Sequence, residues 1–376
     1  MIASLRNWIC AFGLAGVALA ASAPTSLAAA PETKTDPAIA ALEARIRSGD
    51  PPNVHSFIIM QHDKTLAEWY FTGPDEIRGF PIGAVKFDRE TLHDLRSVSK
   101  SIVGLLLGIA LNDGAIKSLD QPVLDYFPEY ADLQTRERRK ILLRHLLTMT
   151  SGLHWNESSV PYKDPSNMET AMTFVPDRFR YILEQPIDAP PGTKWRYSGG
   201  DVELAAEVIV RATKTPLDVY AYEKLFAPLG IKRFDWIKDL KGVPIADSGL
   251  RLTPEGMAKI GLLMLHKGRI GGRQIVPAAW VDASLTPHAT TDDTSPCGSK
   301  YGFLWWIGPV CATNPNGWVA AFGYGGQHIV LSPAKDALVV VTAGLYDDSH
   351  EDDIDKLTSA AFKALAPSDV RATQQP

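Results

Sequence analysis

A serine and a lysine three positions apart stand at the head of a long apolar stretch, Arg96-Ser97-Val98-Ser99-Lys100-Ser101-Ile102 and on to Asn112. From Ile102 to Leu111 no side chain is polar, so a helix formed here is apolar on every face and has to be buried. Lys100 is the one charge between Arg96 and Asp113. A lysine near the start of a buried helix is costly unless its charge is used or neutralised. The spacing puts Ser97 and Lys100 on the same helix face. It also puts Ser97 at the helix N-terminus, where free N–H groups and the dipole favour developing negative charge. A serine hydroxyl is a weak nucleophile and needs a base. Lysine, ordinarily at a pKa of about 10.4, serves as one where burial and neighbouring cations lower that value. The pattern therefore points to nucleophilic chemistry at Ser97, with Ser99 and Ser101 as ordinary helix-start serines. The same spelling recurs at Ser332-Pro333-Ala334-Lys335, but there a proline interrupts a polar turn between two strand-like runs.

A second candidate lies in Pro190-Pro191-Gly192-Thr193-Lys194-Trp195-Arg196-Tyr197-Ser198-Gly199-Gly200-Asp201, a turn leading into a helix with Tyr197 at the junction. Other chemistries find less support. The nine histidines are scattered, without a His-Glu-x-x-His or a close pair, so no metal site is expected. There is no Gly-x-Ser-x-Gly elbow for a Ser-His-Asp hydrolase. Gly323-x-Gly325-Gly326 follows a strand but precedes another strand, which excludes a dinucleotide fingerprint.

The elements that must position these residues are legible in outline. Residues 37–48 read as an amphipathic helix, followed by strands at 54–60 and 65–71 joined at His62-Asp63-Lys64. Helical windows lie at 97–112, 136–149, 169–184, 200–213, 216–226 and 254–267. Strands return at 301–307, 318–322, 327–332 and 337–342, and a last helix spans 350–365. We expect an α+β fold in which both chain ends build one antiparallel sheet flanked by helices, with residues 31–100 and 250–376 forming that part, and a central all-helical domain within a mostly helical 101–249 subdomain. A cleft between the two is a usual place for a site. The chain has 376 residues, 22% of them charged, and a net charge of −5, with no basic cluster to suggest a nucleic-acid partner. The first thirty residues carry one charge, Arg6, then an apolar run from Ile9 to Ala21 and small-residue patterns at Ala18-Leu19-Ala20 and Ala28-Ala29-Ala30. They read as a secretory signal too short to span a bilayer, which predicts a periplasmic or secreted protein without a membrane span after cleavage. Of the three cysteines, Cys297 and Cys311 would remain, and in an oxidising compartment they are placed to pair.

Taken together, these segments resemble the serine β-lactamase and penicillin-binding protein superfamily. The likeness is closest to its class C-like branch, and within that to 6-aminohexanoate-dimer hydrolases and esterase-type members. It rests on Ser97-Val98-Ser99-Lys100 as the nucleophile motif and on Tyr197-Ser198-Gly199, where the family usually has Tyr-x-Asn. It also rests on Leu146-Leu147-Thr148-Met149-Thr150-Ser151-Gly152-Leu153, Pro191-Gly192-Thr193, Leu252-Thr253-Pro254-Glu255-Gly256-Met257-Ala258 and Tyr301-Gly302-Phe303-Leu304-Trp305-Trp306.

The resemblance implies a β-lactamase/transpeptidase-like fold and acyl transfer through a serine ester, with no metal or cofactor. Ser97 would be the nucleophile, and Lys100 and Tyr197 would share the base work, the lysine ammonium pulling the tyrosine pKa down. The backbone N–H groups of Ser97 and Tyr324 would hold the oxyanion. Gly199, Gly323, Trp155 and Tyr162 are the implied substrate contacts, with Asp164 a weaker one and Trp195, Trp305 and Trp306 near the pocket. Gly199 departs from the family's asparagine. Ala321-Phe322-Gly323-Tyr324-Gly325-Gly326-Gln327 lacks the cation that opens the family's third motif and holds a penicillin carboxylate. Small linear amides or esters are therefore expected ahead of a β-lactam or a D-peptide, and turnover ahead of a non-catalytic penicillin-binding sensor.

Overall fold

The computed structural model describes residues 36–365, apart from 296, 313 and 347–349. The expected signal segment lies outside the described residues. From Pro37 onward the chain forms one compact unit.

The β-branched runs at Val54–Gln61 and Ala337–Ala343 pair antiparallel, from Val54 opposite Ala343 to Gln61 opposite Ala337, and so tie the two ends of the chain together. They sit inside an eight-stranded sheet whose spatial order is 289–290, 300–301, 306–308, 318–323, 327–332, 337–343, 54–61 and 64–70. Alternation along these strands sorts the core into two faces. Phe57, Ile59, Val339 and Val341 point to one face and meet Ile39 and Leu42 of the Pro37–Arg47 helix and Ile354 and Leu357 of the Glu351–Ala364 helix. Ile58, Leu338 and Val340 point to the other face, into the larger core that contains the Val98–Asn112 and Pro254–Leu265 helices and most of the helical segments between them.

The Val98–Asn112 helix is buried on all sides from Val98 to Ala110, as its composition requires. Its glycines are contact points. A Cβ at Gly108 would lie 2.2 Å from the Trp280 indole nitrogen, and Trp280 Nε1 donates to the Gly104 carbonyl at 3.1 Å.

Several segments differ from the pattern reading. The 136–149 window holds only a short helix, Leu143–Leu147, after a 3₁₀ turn at Arg138–Lys140. The 169–184 window divides into Met168–Phe174 and Arg178–Leu183, because Pro176 interrupts the helical hydrogen bonding. The central stretch is not all-helical: Phe234–Trp236 is a strand, paired with Leu250–Leu252, which also pairs with His93–Asp94. A hairpin at Thr72–Ile77 and Phe80–Lys86 had no clear signal, its charges and glycines hiding the alternation. The 301–307 strand is broken between Tyr301 and Trp306. There Leu304 turns to φ 60°, its N–H bonding to the Leu147 carbonyl and its carbonyl accepting from Ser101 Oγ. Pro333–Lys335 is a tight turn, with Lys335 Nζ donating to the Leu365 carbonyl, so the second Ser-x-x-Lys is structural. A disulfide joins Cys297 to Cys311 across a Cα separation of 6.1 Å.

Gly108→Ala is expected to destabilise the protein by about 1–3 kcal/mol through overpacking against Trp280, in spite of alanine's better helix propensity. A urea-unfolding midpoint at or above that of the wild type would show that the indole moves aside freely.

Candidate active site

The turn that delivers Ser97 to its helix is held from several sides. Leu95 N–H bonds to the Leu250 carbonyl, and Arg96 adopts φ 50°, an uncommon conformation for a bulky residue. Its guanidinium bonds to Glu76 at 2.8 Å and lies 5.0 Å over the Tyr346 ring. Ser99 Oγ accepts from Leu250 N at 3.1 Å, and Ser101 Oγ donates to the Leu304 carbonyl at 2.6 Å. These two hydroxyls thus bind helix to surroundings, and Ser97 alone of the three lines the cleft.

Lys100 Nζ donates to Ser97 Oγ at 2.9 Å, as the spacing predicted. It also donates to the Asp247 carbonyl at 3.2 Å and lies 3.5 Å from Asp247 Oδ2 and 3.8 Å from Glu157 Oε1. The ammonium sits 5.0 Å from the centre of the Tyr197 ring, and the Tyr197 phenol hydrogen-bonds to Ser97. Ser198 caps the helix that follows, its side chain accepting from Asp201 N at 3.1 Å. The structure places Ser97, Lys100 and Tyr197 side by side.

Sequence reasoning misjudged their protonation. Burial disfavours the Lys100 ammonium, but neighbouring anions, Glu157 and Asp247 among them and Tyr197 when it is ionised, outweigh it and hold the lysine pKa above its ordinary value. Burial raises the Tyr197 phenol, and Lys100 only partly opposes the rise. The resting pair is therefore an ammonium beside a neutral phenol, not a lysine with a lowered pKa beside a tyrosine pulled down.

The acids were missed altogether. Glu157 Oε2 accepts from Trp155 Nε1 and from Gly199 N, each at 2.6 Å. Burial raises its carboxyl, against the Lys100 charge. Asp247 is pushed the other way: burial is outweighed by Lys100, Arg78 and a hydrogen bond from Ser248, so it stays below the usual carboxylate range. Behind it Glu203, pushed up by burial to about 8, accepts from Ala246 N and Asp247 N and pairs with Arg178 at 3.3 Å. The only sequence signal for these acids is indirect: a buried lysine demands counter-charge from somewhere.

The cleft in front of Ser97 has a volume of about 560 Å³ and is walled by Tyr162, Trp195, Tyr197, Trp306, Phe322 and Tyr324, with Gly323 and the 157–161 loop completing it. Tyr162 and Tyr324 face each other at 5.2 Å across it. No lysine, arginine or histidine lines it among the described residues. Gly323 lets the strand end approach, since a Cβ there would lie 2.1 Å from the Leu95 carbonyl. That contact brings Tyr324 beside Ser97, the place expected for the second oxyanion donor. Trp155 and Trp305, expected near the wall, are buried behind it, Trp155 holding Glu157 instead of facing the cleft. Gly199 is buried too and does not line the cleft. Asp164 is exposed and bonded to Ser166.

The histidines are less scattered in space than in sequence. His55 and His93 flank Phe87, and with Asp75 they place one ligand atom each within 4.8 Å of one another. Burial lowers both rings, His55 to about 4. His55 Nε2 lies 3.0 Å from the Pro74 carbonyl. None of the three lines the cleft.

A Cβ at position 199 would lie 2.5 Å from Asp247 Oδ2 and 3.0 Å from Glu157 Oε2. Gly199→Asn, which would restore the common family residue, is expected to displace these carboxylates and lower turnover by about 10²-fold, the scale of a ~1 Å misplacement. Unchanged kcat with the folded state intact would contradict this packing argument.

Comparison with known proteins agrees with this geometry. The Beta-lactamase family model matches residues 54–362. The chain is 28% identical over 304 residues to the 6-aminohexanoate-dimer hydrolase of Paenarthrobacter ureafaciens, covering 76% of this chain and 71% of that protein. Among solved structures, EstCE1, a hydrolase with promiscuous acyltransferase activity, superposes with a TM-score of 0.67 at 16% identity over 86% of this chain and 97% of its own. A β-lactamase/D-alanine carboxypeptidase from Pseudomonas syringae gives 0.65 at 16% identity over 89% and 99%. These structures share the β-lactamase/transpeptidase-like fold. With most of its length inside the family model and a buried lysine bonded to a cleft serine, the chain belongs to the β-lactamase family and is a serine hydrolase.

Proposed function

We propose that the protein hydrolyses small linear amides or esters through an acyl-enzyme at Ser97. The observation that carries this reading is the 2.9 Å contact between Ser97 Oγ and Lys100 Nζ at the floor of a cleft walled by aromatic rings. Ser97 attacks the carbonyl and Lys100 receives its proton. Tyr197, bonded to Ser97 and next to the ammonium, passes a proton to the leaving group. The N–H groups of Ser97 and Tyr324 hold the oxyanion, a donor of this kind being worth roughly 2.7–4 kcal/mol. Water then releases the acyl group.

Substrate preference follows from the walls. A β-lactam or a D-alanyl peptide presents a carboxylate that the family anchors on a cation. Here Arg196 is engaged with Asp188 and the Trp155 carbonyl, Lys300 bonds to Thr290, and Arg78 and Arg96, which line a small pocket adjoining Ser97, are paired with Glu169 and Glu76. The aromatic walls suit an apolar acyl chain, while the linear 6-aminohexanoate dimer, which carries a carboxylate of its own, is supported by the likeness to the 6-aminohexanoate-dimer hydrolase and not by the absence of a cation. Residues from 157–162 and 195–197 face residues from 306–324 across the cleft, which supports reading the chain as two subdomains that meet there. The disulfide and the first thirty residues support a periplasmic or secreted location.

The test is hydrolysis of a short-chain p-nitrophenyl ester, a chromogenic cephalosporin and the linear 6-aminohexanoate dimer side by side. Ester or linear-amide turnover with a dead cephalosporin reaction is expected. Ser97→Ala should abolish it, and Tyr197→Phe should cut kcat by about 10²–10⁴-fold. Fast cephalosporin turnover would overturn the substrate ranking, stable acylation without turnover would indicate a sensor, and activity in Ser97→Ala would sink the nucleophile assignment.

A further inference from the structure

The resting site poses a problem for its own reaction. Ser97 can give its proton to Lys100 only if the lysine is neutral, yet its neighbours hold it as an ammonium. The proton has to go somewhere before the serine attacks, and Lys100 itself is only 2% exposed, although Ser97 lines the cleft.

Two carboxylates face the ammonium, and they are not equivalent. Asp247 is committed to its charge: it takes a hydrogen bond from Ser248 at 2.9 Å, and Arg78 acts on it together with Lys100. Glu157 is built differently. One oxygen is pinned by Trp155 Nε1 and Gly199 N, while the other, Oε1, is buried without a hydrogen bond, 3.8 Å from Lys100 Nζ. A buried carboxylate oxygen without a donor is unfavourable as an anion and gains by taking a proton. Glycine at 199 is what makes room, because a Cβ there would press on both acids. The missing family asparagine and the unpartnered Glu157 oxygen are thus one structural feature.

We propose that Glu157 accepts the Lys100 proton when substrate fills the cleft, so that Lys100 becomes the neutral base that Ser97 requires. The inference rests on the reading of Ser97 and Lys100 given above. The step balances within the site. A Lys100 N–H bond breaks and an O–H bond forms on Glu157 Oε1, turning an ion pair into a neutral pair. Closing 3.8 Å to hydrogen-bonding range takes roughly 1 Å of lysine movement. The Ser97 hydroxyl proton then passes to Lys100 Nζ as the Oγ–carbon bond forms and the carbonyl π pair moves to oxygen. That proton reaches the leaving atom through the Tyr197 hydroxyl as the tetrahedral adduct collapses. Glu157 returns its proton to Lys100 once the acyl group has left. Exchange of an ion pair for a neutral pair is favoured as substrate excludes water from the cleft. Glu157 acts through Lys100 and is a positioning residue for the proton. The titratable groups acting on it are Lys100, Tyr197 and Tyr162 on the cleft side, and Asp247, Glu169, Asp201 and Tyr301 elsewhere around it.

The experiment is the pH dependence of kcat/KM for a p-nitrophenyl ester in the wild type, Glu157→Gln and Trp155→Phe, with a serine-directed phosphonate to titrate Ser97. In the wild type the pair shares one proton across a plateau, and activity falls on the acid side as Glu157 becomes protonated before substrate arrives. Glu157→Gln has to lose the lysine proton to solvent, so kcat/KM drops by about 10²-fold at neutral pH and climbs about tenfold per pH unit toward alkaline pH. Trp155→Phe removes a donor from the carboxylate and raises its proton affinity, so the acid limb moves to higher pH. A Glu157→Gln profile of wild-type shape, at the same level or uniformly lowered, would overturn the proposal. If that variant does not fold, an unmoved acid limb in Trp155→Phe overturns it. Failure of the phosphonate to label wild-type Ser97 would count against the nucleophile itself, whereas normal labelling with an unchanged profile would count against Glu157 alone.

Discussion

The burial of one ammonium group organises this site. Lys100 is buried near the start of a helix, and a charge in that position survives only among matched counter-charges. Asp247, Glu157 and Glu169 supply them, with Arg78 paired to Glu169. The network draws on segments far apart in the chain, so the site and the fold around it are stabilised by the same contacts.

The sheet supplies the geometry this network needs. Pairing the first long strand with the last one closes the chain on itself and covers both faces of the sheet. The Val98–Asn112 helix is then fixed against the strand that ends at Gly323. Because Gly323 has no side chain, that strand end can press against the Leu95 carbonyl, two residues before the nucleophile. The donors expected at Ser97 and Tyr324 come from two elements brought together by that one contact.

The proposed substrate preference rests on the aromatic cleft. Family relatives share the fold while differing in what they act on, so the walls and not the architecture distinguish them. Here rings from the 162, 195–197, 306 and 322–324 segments enclose the serine, and Arg196, Arg78 and Arg96 are engaged in ion pairs. A hydrophobic enclosure of this kind also strengthens the electrostatics of the buried lysine and its acids, because it keeps the local dielectric low.

Local patterning carried a good share of this into the sequence. The apolar run after Lys100 announces a buried helix, the Ser97 spacing follows from helical geometry, and the terminal strands and helices follow from periodicities that their neighbours reinforce. Short or broken elements were misread where a single proline, as at Pro176, or a tertiary contact, as between Leu304 and Leu147, overrode propensity. The sequence by itself determined that Ser97 and Lys100 meet, because three residues on a helix always share a face. Only the tertiary structure decided which acids surround the lysine, and therefore that it rests as an ammonium. Glu157 and Asp247 stand 57 and 147 positions away, and no local rule connects them. A pKa depends on everything within a few ångströms, which the fold assembles and the sequence does not spell out.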